Sequence, residues 1–74
     1  MKLESLVQKA QDGNQEALEG VIVGIQDMVY YLSLRMLANP EDAKEATQEI
    51  IIRIITKLST FQHDSKFKTW VYRV

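Results

Sequence analysis

Apolar residues recur along this chain at helical spacing, and glycine, asparagine and proline mark where the spacing resets. Leu3, Leu6, Val7 and Ala10 stand at i, i+3, i+4 and i+7, which predicts a short amphipathic helix over residues 3–11. Gly13 suits the position just past its end, and Asn14 the N-cap of the next helix. From Gln15 to Ala38 the residues Ala17, Leu18, Val21, Ile22, Ile25, Met28, Val29, Leu32, Met36 and Leu37 keep a helical period. Gly20 and Gly24 each weaken that helix by roughly 1 kcal/mol relative to alanine, so a bend or break is expected near them. Val21-Ile22-Val23 has β-branched character, but no nearby segment alternates so as to pair with it, and helix is the reading retained.

Asn39-Pro40-Glu41-Asp42 is the strongest boundary. Asn39 can cap, Pro40 fits the first helical position, and the two carboxylates favour the positive end of the helix dipole. The helix that follows is expected from Pro40 to about Ser59, with Ala43, Ala46, Ile50, Ile51, Ile54, Ile55 and Leu58 as its apolar stripe. Phe61-Gln62-His63-Asp64 breaks the period and reads as a loop. Ser65 or Asp64 is the expected cap of a last helix, Lys66 to Val74. The predicted fold is all-α, a compact bundle of about four helices.

Composition narrows the chemistry. At 74 residues, one domain is the expectation, and a domain this size buries only about 60% of its unfolded surface. The chain holds no cysteine, which excludes disulfides, thiolate nucleophiles and cysteine-zinc sites, and a single histidine, His63, cannot build a histidine-rich metal site. No apolar run reaches the roughly 20 residues of a membrane span, and residues 1–5 do not resemble a signal peptide, so the expectation is a cytoplasmic chain without a membrane partner. The net charge of −1 conceals a division. Residues 1–52 carry four basic residues (Lys2, Lys9, Arg35, Lys44) against nine acidic ones, a balance of −5. Residues 53–74 carry Arg53, Lys57, Lys66, Lys68 and Arg73 against Asp64 alone, a balance of +4. Such asymmetry suggests two faces with two partners.

Catalytic motifs are missing: there is no glycine-rich phosphate loop and no nucleophile elbow. Glu45 shares a helix face with Glu41 and with Glu49, but a carboxylate di-metal centre also wants Glu-x-x-His, and His63 is not placed for it. No metal, cofactor or catalytic role is expected; Asp42, Glu45 and Glu49 read as a solvated acidic face or one that meets a basic partner. His63 is either simply exposed or a hydrogen-bond donor to a ligand in its loop. The segment from Phe61 to Val74 gathers both phenylalanines, the only tryptophan and one of three tyrosines among Lys66, Lys68 and Arg73. Phe67, Trp70, Val71 and Val74 share a helix face, which is either core or, in part, a platform for unpaired bases. Stacking on an aromatic ring contributes about 1–3 kcal/mol per base, while cations follow the phosphates.

At these residues the chain resembles a known family. Arg35-Met36-Leu37-Ala38-Asn39-Pro40-Glu41-Asp42-Ala43, then Ala46-Thr47-Gln48-Glu49-Ile50, then Lys57-Leu58 and Phe61, is similar to the second region of bacterial RNA polymerase sigma factors of the extracytoplasmic-function type. Ser65-Lys66-Phe67-Lys68-Thr69-Trp70-Val71-Tyr72-Arg73-Val74 resembles the stretch that follows it, and Gln11 to Leu18 fits the family's opening helices. The resemblance implies a helical domain that docks on the clamp helices of the polymerase largest subunit through Asp42, Glu45, Gln48, Glu49 and Ile55. It implies a loop and last helix that recognise and melt the promoter −10 element and hold its non-template strand. That role would fall on Phe61, Gln62, His63, Asp64, Ser65, Lys66, Lys68, Trp70 and Arg73.

The resemblance carries further expectations. Many relatives have Arg-Gly-Glu-Ser where this chain has Gln62-His63-Asp64-Ser65. Members continue into a linker and a second helical domain, so residues 1–74 are expected to be a region 2 domain truncated at its C-terminus relative to the family. A last helix cut short would leave Phe67, Trp70, Val71 and Val74 partly uncovered, and self-association through them is expected. The alternative reading is a protein-interaction module of sigma ancestry, a split sigma subunit or a domain bound by an anti-sigma factor, without DNA recognition of its own.

Overall fold

A computed structural model describes residues 3–74; Met1 and Lys2, and with them one charge of the acidic half, lie outside the described residues. Four α-helices follow one another: α1 (Leu3–Gln11), α2 (Gln15–Leu37), α3 (Pro40–Lys57) and α4 (Phe67–Arg73). A 3-10 turn, Leu58–Thr60, sits between α3 and the loop that leads to α4. Among the described residues there is no strand, so the fold is the all-α bundle the periodicity predicts.

Local signals placed the first three helices. Gly13, at φ 97°, turns the chain out of α1, and Asn14 Oδ1 then accepts from the Ala17 amide at 2.9 Å. Asn39 Oδ1 accepts from the amides of Glu41 and Asp42 at 2.9 and 3.2 Å, with Pro40 beside it in the first turn. Between these two caps, α2 ends on Ala38, which lies outside the helix rather than in it. Its φ of 55° is left-handed, and its amide closes on Leu34 O at 2.8 Å. α3 stops at Lys57, earlier than Ser59, because the chain tightens into the 3-10 turn.

α2 runs unbroken through Gly20 and Gly24, against the expected break. The glycines answer a packing demand instead. A Cβ on Gly20 would stand 3.1 Å from Leu6 Cδ1, and one on Gly24 would stand 3.2 Å from Leu3 Cδ1. The apolar side of α1 is thus seated directly on the α2 backbone, and the contact energy offsets the low helix propensity. α2 carries 23 residues and a window of mean hydropathy 1.2, so by length and composition it is long and apolar enough to cross a bilayer, contrary to the expectation from the sequence. Its buried residues Ala17, Val21, Ile25, Val29 and Ser33 form one stripe, and both α1 and α3 pack along the helix. That is the pattern of the central helix of a small bundle.

The core gathers Val7, Val21, Ile25, Val29, Ile54, Leu58, Phe61, Phe67 and Val71. α4 has seven residues, too few to hold together alone. Phe67 anchors it with no exposed surface, and Val71 is buried one turn on. The expected cap from Asp64 or Ser65 does not form. The N-cap residue is Lys66, without a side-chain bond, and the Phe67 amide donates instead to Glu4 Oε1 at 3.0 Å. Burial of Phe67 draws the first turn of α4 under α1, where a carboxylate 63 residues earlier reaches it. Trp70 and Val74 also pack partly against the core. Phe67 and Val71 are thus covered, while Trp70 and Val74 stay partly open.

Two substitutions test this account by thermal unfolding. Ala38→Gly relieves a left-handed alanine and raises stability by about 1 kcal/mol. Glu4→Ala strips α4 of its cap and lowers stability by about 1 kcal/mol, or roughly 4–8 °C in Tm for a domain of this size. Faster amide exchange confined to α4 accompanies the second change; unchanged protection there would show that the contact caps nothing.

Candidate functional site

α3 presents its buried line, Ala43, Thr47 and Ile54, to the interior. The helical period of 100° per residue then turns Glu41, Glu45 and Ile52 outward, with Asp42 and Glu49 along one edge and Gln48 along the other. Asp42, Glu45, Gln48 and Glu49 are all exposed. Ile55 is half-buried, seven residues beyond Gln48 on the same edge. The Lys44 Nζ–Glu41 Oε1 pair on this face is long, 3.9 Å, and both side chains are well exposed, so it does little to neutralise the ribbon. A groove of about 290 Å³ between α2 and α3 opens beside Gln48 and is lined also by Tyr30, Lys44 and Ile51.

Ile52 is the residue on this face that the periodicity missed. It is 62% exposed on the outward line of α3, just beyond Glu49, the last carboxylate of the ribbon. The signal was present: in the run Ile50-Ile51-Ile52 only the first two can follow the stripe toward the core, and the third must face out. Its helix neighbours are Gln48 and Glu49 on one side and Ile55 and Thr56 on the other, so an apolar spot adjoins the acidic ribbon at its C-terminal end.

The second cluster lies past the end of α3. Phe61, Phe67 and Trp70 pack ring against ring: Phe61–Phe67 at 5.4 Å edge-on, Phe61–Trp70 at 5.4 Å tilted, Phe67–Trp70 at 5.6 Å stacked. His63 leans on the Phe61 ring at 4.6 Å. Phe61 is 3% exposed, which corrects its assignment as a stacking surface: it has no free face for a base and serves as the floor on which His63 and Trp70 rest. Trp70 is half-buried: one part of the ring packs on the core and the rest is open to solvent. Gln62, His63, Asp64, Lys66, Lys68 and Arg73 are exposed, and Ser65 is half-buried. Among the described residues no three His, Asp or Glu side chains gather closely enough to hold a metal ion.

The loop is built tightly. His63 adopts a left-handed φ of 59°. Gln11, at the end of α1, donates through Nε2 to Leu58 O at 3.0 Å and to Phe61 O at 2.8 Å. Its Oε1 meets His63 Nε2 at 2.7 Å. Gln11 was noted in the sequence only as part of a resembling segment; its reach of about fifty residues along the chain has no local signature.

Comparison with known proteins bears on this geometry. Residues 21–74 match the family model described as Sigma-70 region 2. The chain is 31% identical to the ECF RNA polymerase sigma factor SigW of Bacillus subtilis over 74 residues, all of this chain and 40% of the relative. It is 30% identical over 71 residues to the RNA polymerase sigma-H factor of Pseudomonas aeruginosa, covering 96% of this chain and 37% of that protein. It is 35% identical over 69 residues to the ECF RNA polymerase sigma-E factor of Escherichia coli K12, covering 93% of this chain and 36% of that one. This chain therefore spans about two fifths of the length of the curated relatives it matches. No solved structure matches it. The helical architecture, the aromatic–basic last helix and the match over residues 21–74 converge: the chain belongs to the sigma-70 region 2 family.

Proposed function

We propose that this domain docks on the clamp helices of the RNA polymerase largest subunit through α3, and that its loop and α4 recognise and open the promoter −10 element by holding the non-template strand. In this reading it takes part in transcription initiation in the bacterial cytoplasm. It forms and breaks no covalent bond. The observation that carries the DNA half is the partly exposed Trp70 ring, seated on two phenylalanines in a segment that also carries the exposed Lys66, Lys68 and Arg73, next to a polar loop tied to α1 by Gln11.

The physics supports that assignment. Taking a base out of the duplex stack costs a few kcal/mol. A ring face returns about 1–3 kcal/mol by stacking, and Gln62, His63 and Asp64 supply hydrogen-bonding groups for a base edge. The cations follow the backbone without reading sequence. The polymerase half rests on the other pole. Asp42, Glu45 and Glu49 repel phosphates but suit a basic protein surface, with Ile52 exposed just beyond them and Gln48 and Ile55 along one edge. An anti-sigma factor or a partner sigma subunit could engage the same acidic ribbon, because the surface chemistry is shared.

The two poles separate experimentally. Gln48→Ala combined with Glu49→Ala weakens binding to the isolated clamp helices about tenfold or more at unchanged Tm; binding that survives the double change overturns the interface. A single-stranded non-template −10 oligonucleotide binds about tenfold more tightly than a scrambled strand at moderate salt, and equal binding removes sequence reading from the loop. Lys68→Ala weakens both strands alike and flattens the salt dependence. Phe61→Ala removes a buried ring and costs about 3–5 kcal/mol in chemical denaturation, whereas Gln62→Ala stays within about 0.5 kcal/mol.

A further inference from the structure

The loop between α3 and α4 has little of its own to hold it. It contains no regular structure, its polar residues except Ser65 are exposed, and one of them takes a left-handed backbone. Its restraints come from α1, at both ends. At the entrance, Gln11 Nε2 gathers Leu58 O and Phe61 O, and Gln11 Oε1 holds His63. At the exit, Glu4 Oε1 takes the Phe67 amide. α1 lies before residue 21, where the match to the family model begins. From this we infer that α1 is the positioning element of the strand-reading loop, and that Gln11 is the positioning residue that sets its conformation.

The hydrogen-bond logic is closed and directional. Two carbonyl acceptors fix which end of the Gln11 amide is nitrogen, so the oxygen must face His63. A carbonyl oxygen can only accept, so His63 Nε2 carries the hydrogen. In a neutral ring that leaves Nδ1 as the remaining acceptor. Gln11 therefore determines the backbone path from Leu58 to Phe61, the place of the His63 ring over Phe61 and the tautomer that ring presents. An exposed histidine at φ 59° would otherwise sample other rotamers and the right-handed region. A loop already held in its binding geometry loses less entropy when a strand arrives, and discriminates more sharply between strands.

This inference rests on the reading that the loop contacts single-stranded promoter DNA, and its test separates the two. Gln11→Met keeps the size of the side chain and removes all three bonds; Gln11→Glu keeps the acceptor toward His63 and removes both donations. Each variant is titrated with the non-template −10 strand and with a scrambled strand. Nitrogen-15 spectra report the His63 tautomer at a pH where the ring is neutral, together with the amides of residues 61–66. In Gln11→Met the preference for the −10 strand falls about tenfold, the size of one net hydrogen bond, while scrambled-strand affinity and its salt dependence hold. The Nε2–H tautomer bias is lost, loop amides exchange faster, and helix signals stay in place. Gln11→Glu loosens the loop amides in the same way, and it decides the matter if Gln11→Met fails to fold. A wild-type chain that prefers the −10 strand, with variants that prefer it equally, overturns the positioning role alone. A wild-type chain without preference overturns the reading of the loop and the inference with it.

Discussion

The seating of α1 on α2 is the contact on which the rest of the molecule depends. Leu3 and Leu6 rest where Gly24 and Gly20 have no side chain, so close that an added Cβ would lie 3.2 and 3.1 Å away. That approach fixes the height and register of α1. Register then decides where Glu4 and Gln11 emerge, and those two side chains hold the ends of the loop that precedes α4. A bulkier residue at either glycine would lift α1 and displace both polar contacts together. The low helix propensity of the glycines is therefore the local cost of a long-range brace.

The C-terminal third shows how a small domain stabilises a segment with weak intrinsic structure. Seven residues form a helix because Phe67 and Val71 are buried and because a distant carboxylate satisfies the first amide. The three aromatic rings pack at 5.4–5.6 Å in tilted, edge-on and stacked arrangements, which adds directional attraction to plain burial. The result divides labour among aromatics that look alike in sequence. Phe61 and Phe67 are structural, and Trp70, resting on both, keeps part of its surface in solvent.

Charge follows the same economy. The acidic residues Glu41, Asp42, Glu45 and Glu49 fall in the first three turns of α3, where the helix dipole favours negative charge near the N-terminus. The cations Lys66, Lys68 and Arg73 come after its last turn. Only the part of α3 after Glu49, about 12 Å at 1.5 Å per residue, and the loop beyond it separate the two groups along the chain. A chain of net charge −1 therefore carries an acidic group and a basic group apart from one another.

What the sequence determined by itself was everything governed by neighbours a few residues apart. Asn14, Asn39, Pro40 and Gly13 marked helix limits, and the 3.6-residue period identified the faces of α1, α2 and α3, because caps, turns and stripes are local physics. The acidic ribbon and the aromatic–basic segment were legible for the same reason, and the spacing of Gln48-Glu49 and of Phe67 to Arg73 carried the family. Ile52 was legible in principle, as the isoleucine its helix could not bury. Other features were decided only by the tertiary structure. Gly20 and Gly24 read as helix breakers until α1 was laid across them. The cap of α4 looked local and came from Glu4. Phe61 looked like a ring for bases and was enclosed by Phe67 and Trp70. Gln11 showed no sign of binding Leu58, Phe61 and His63. The glycine, Glu4 and Gln11 contacts join residues about fifteen to sixty positions apart, and the enclosure of Phe61 needs α4 folded back on it; that proximity follows from the packing of whole helices, which no local pattern encodes.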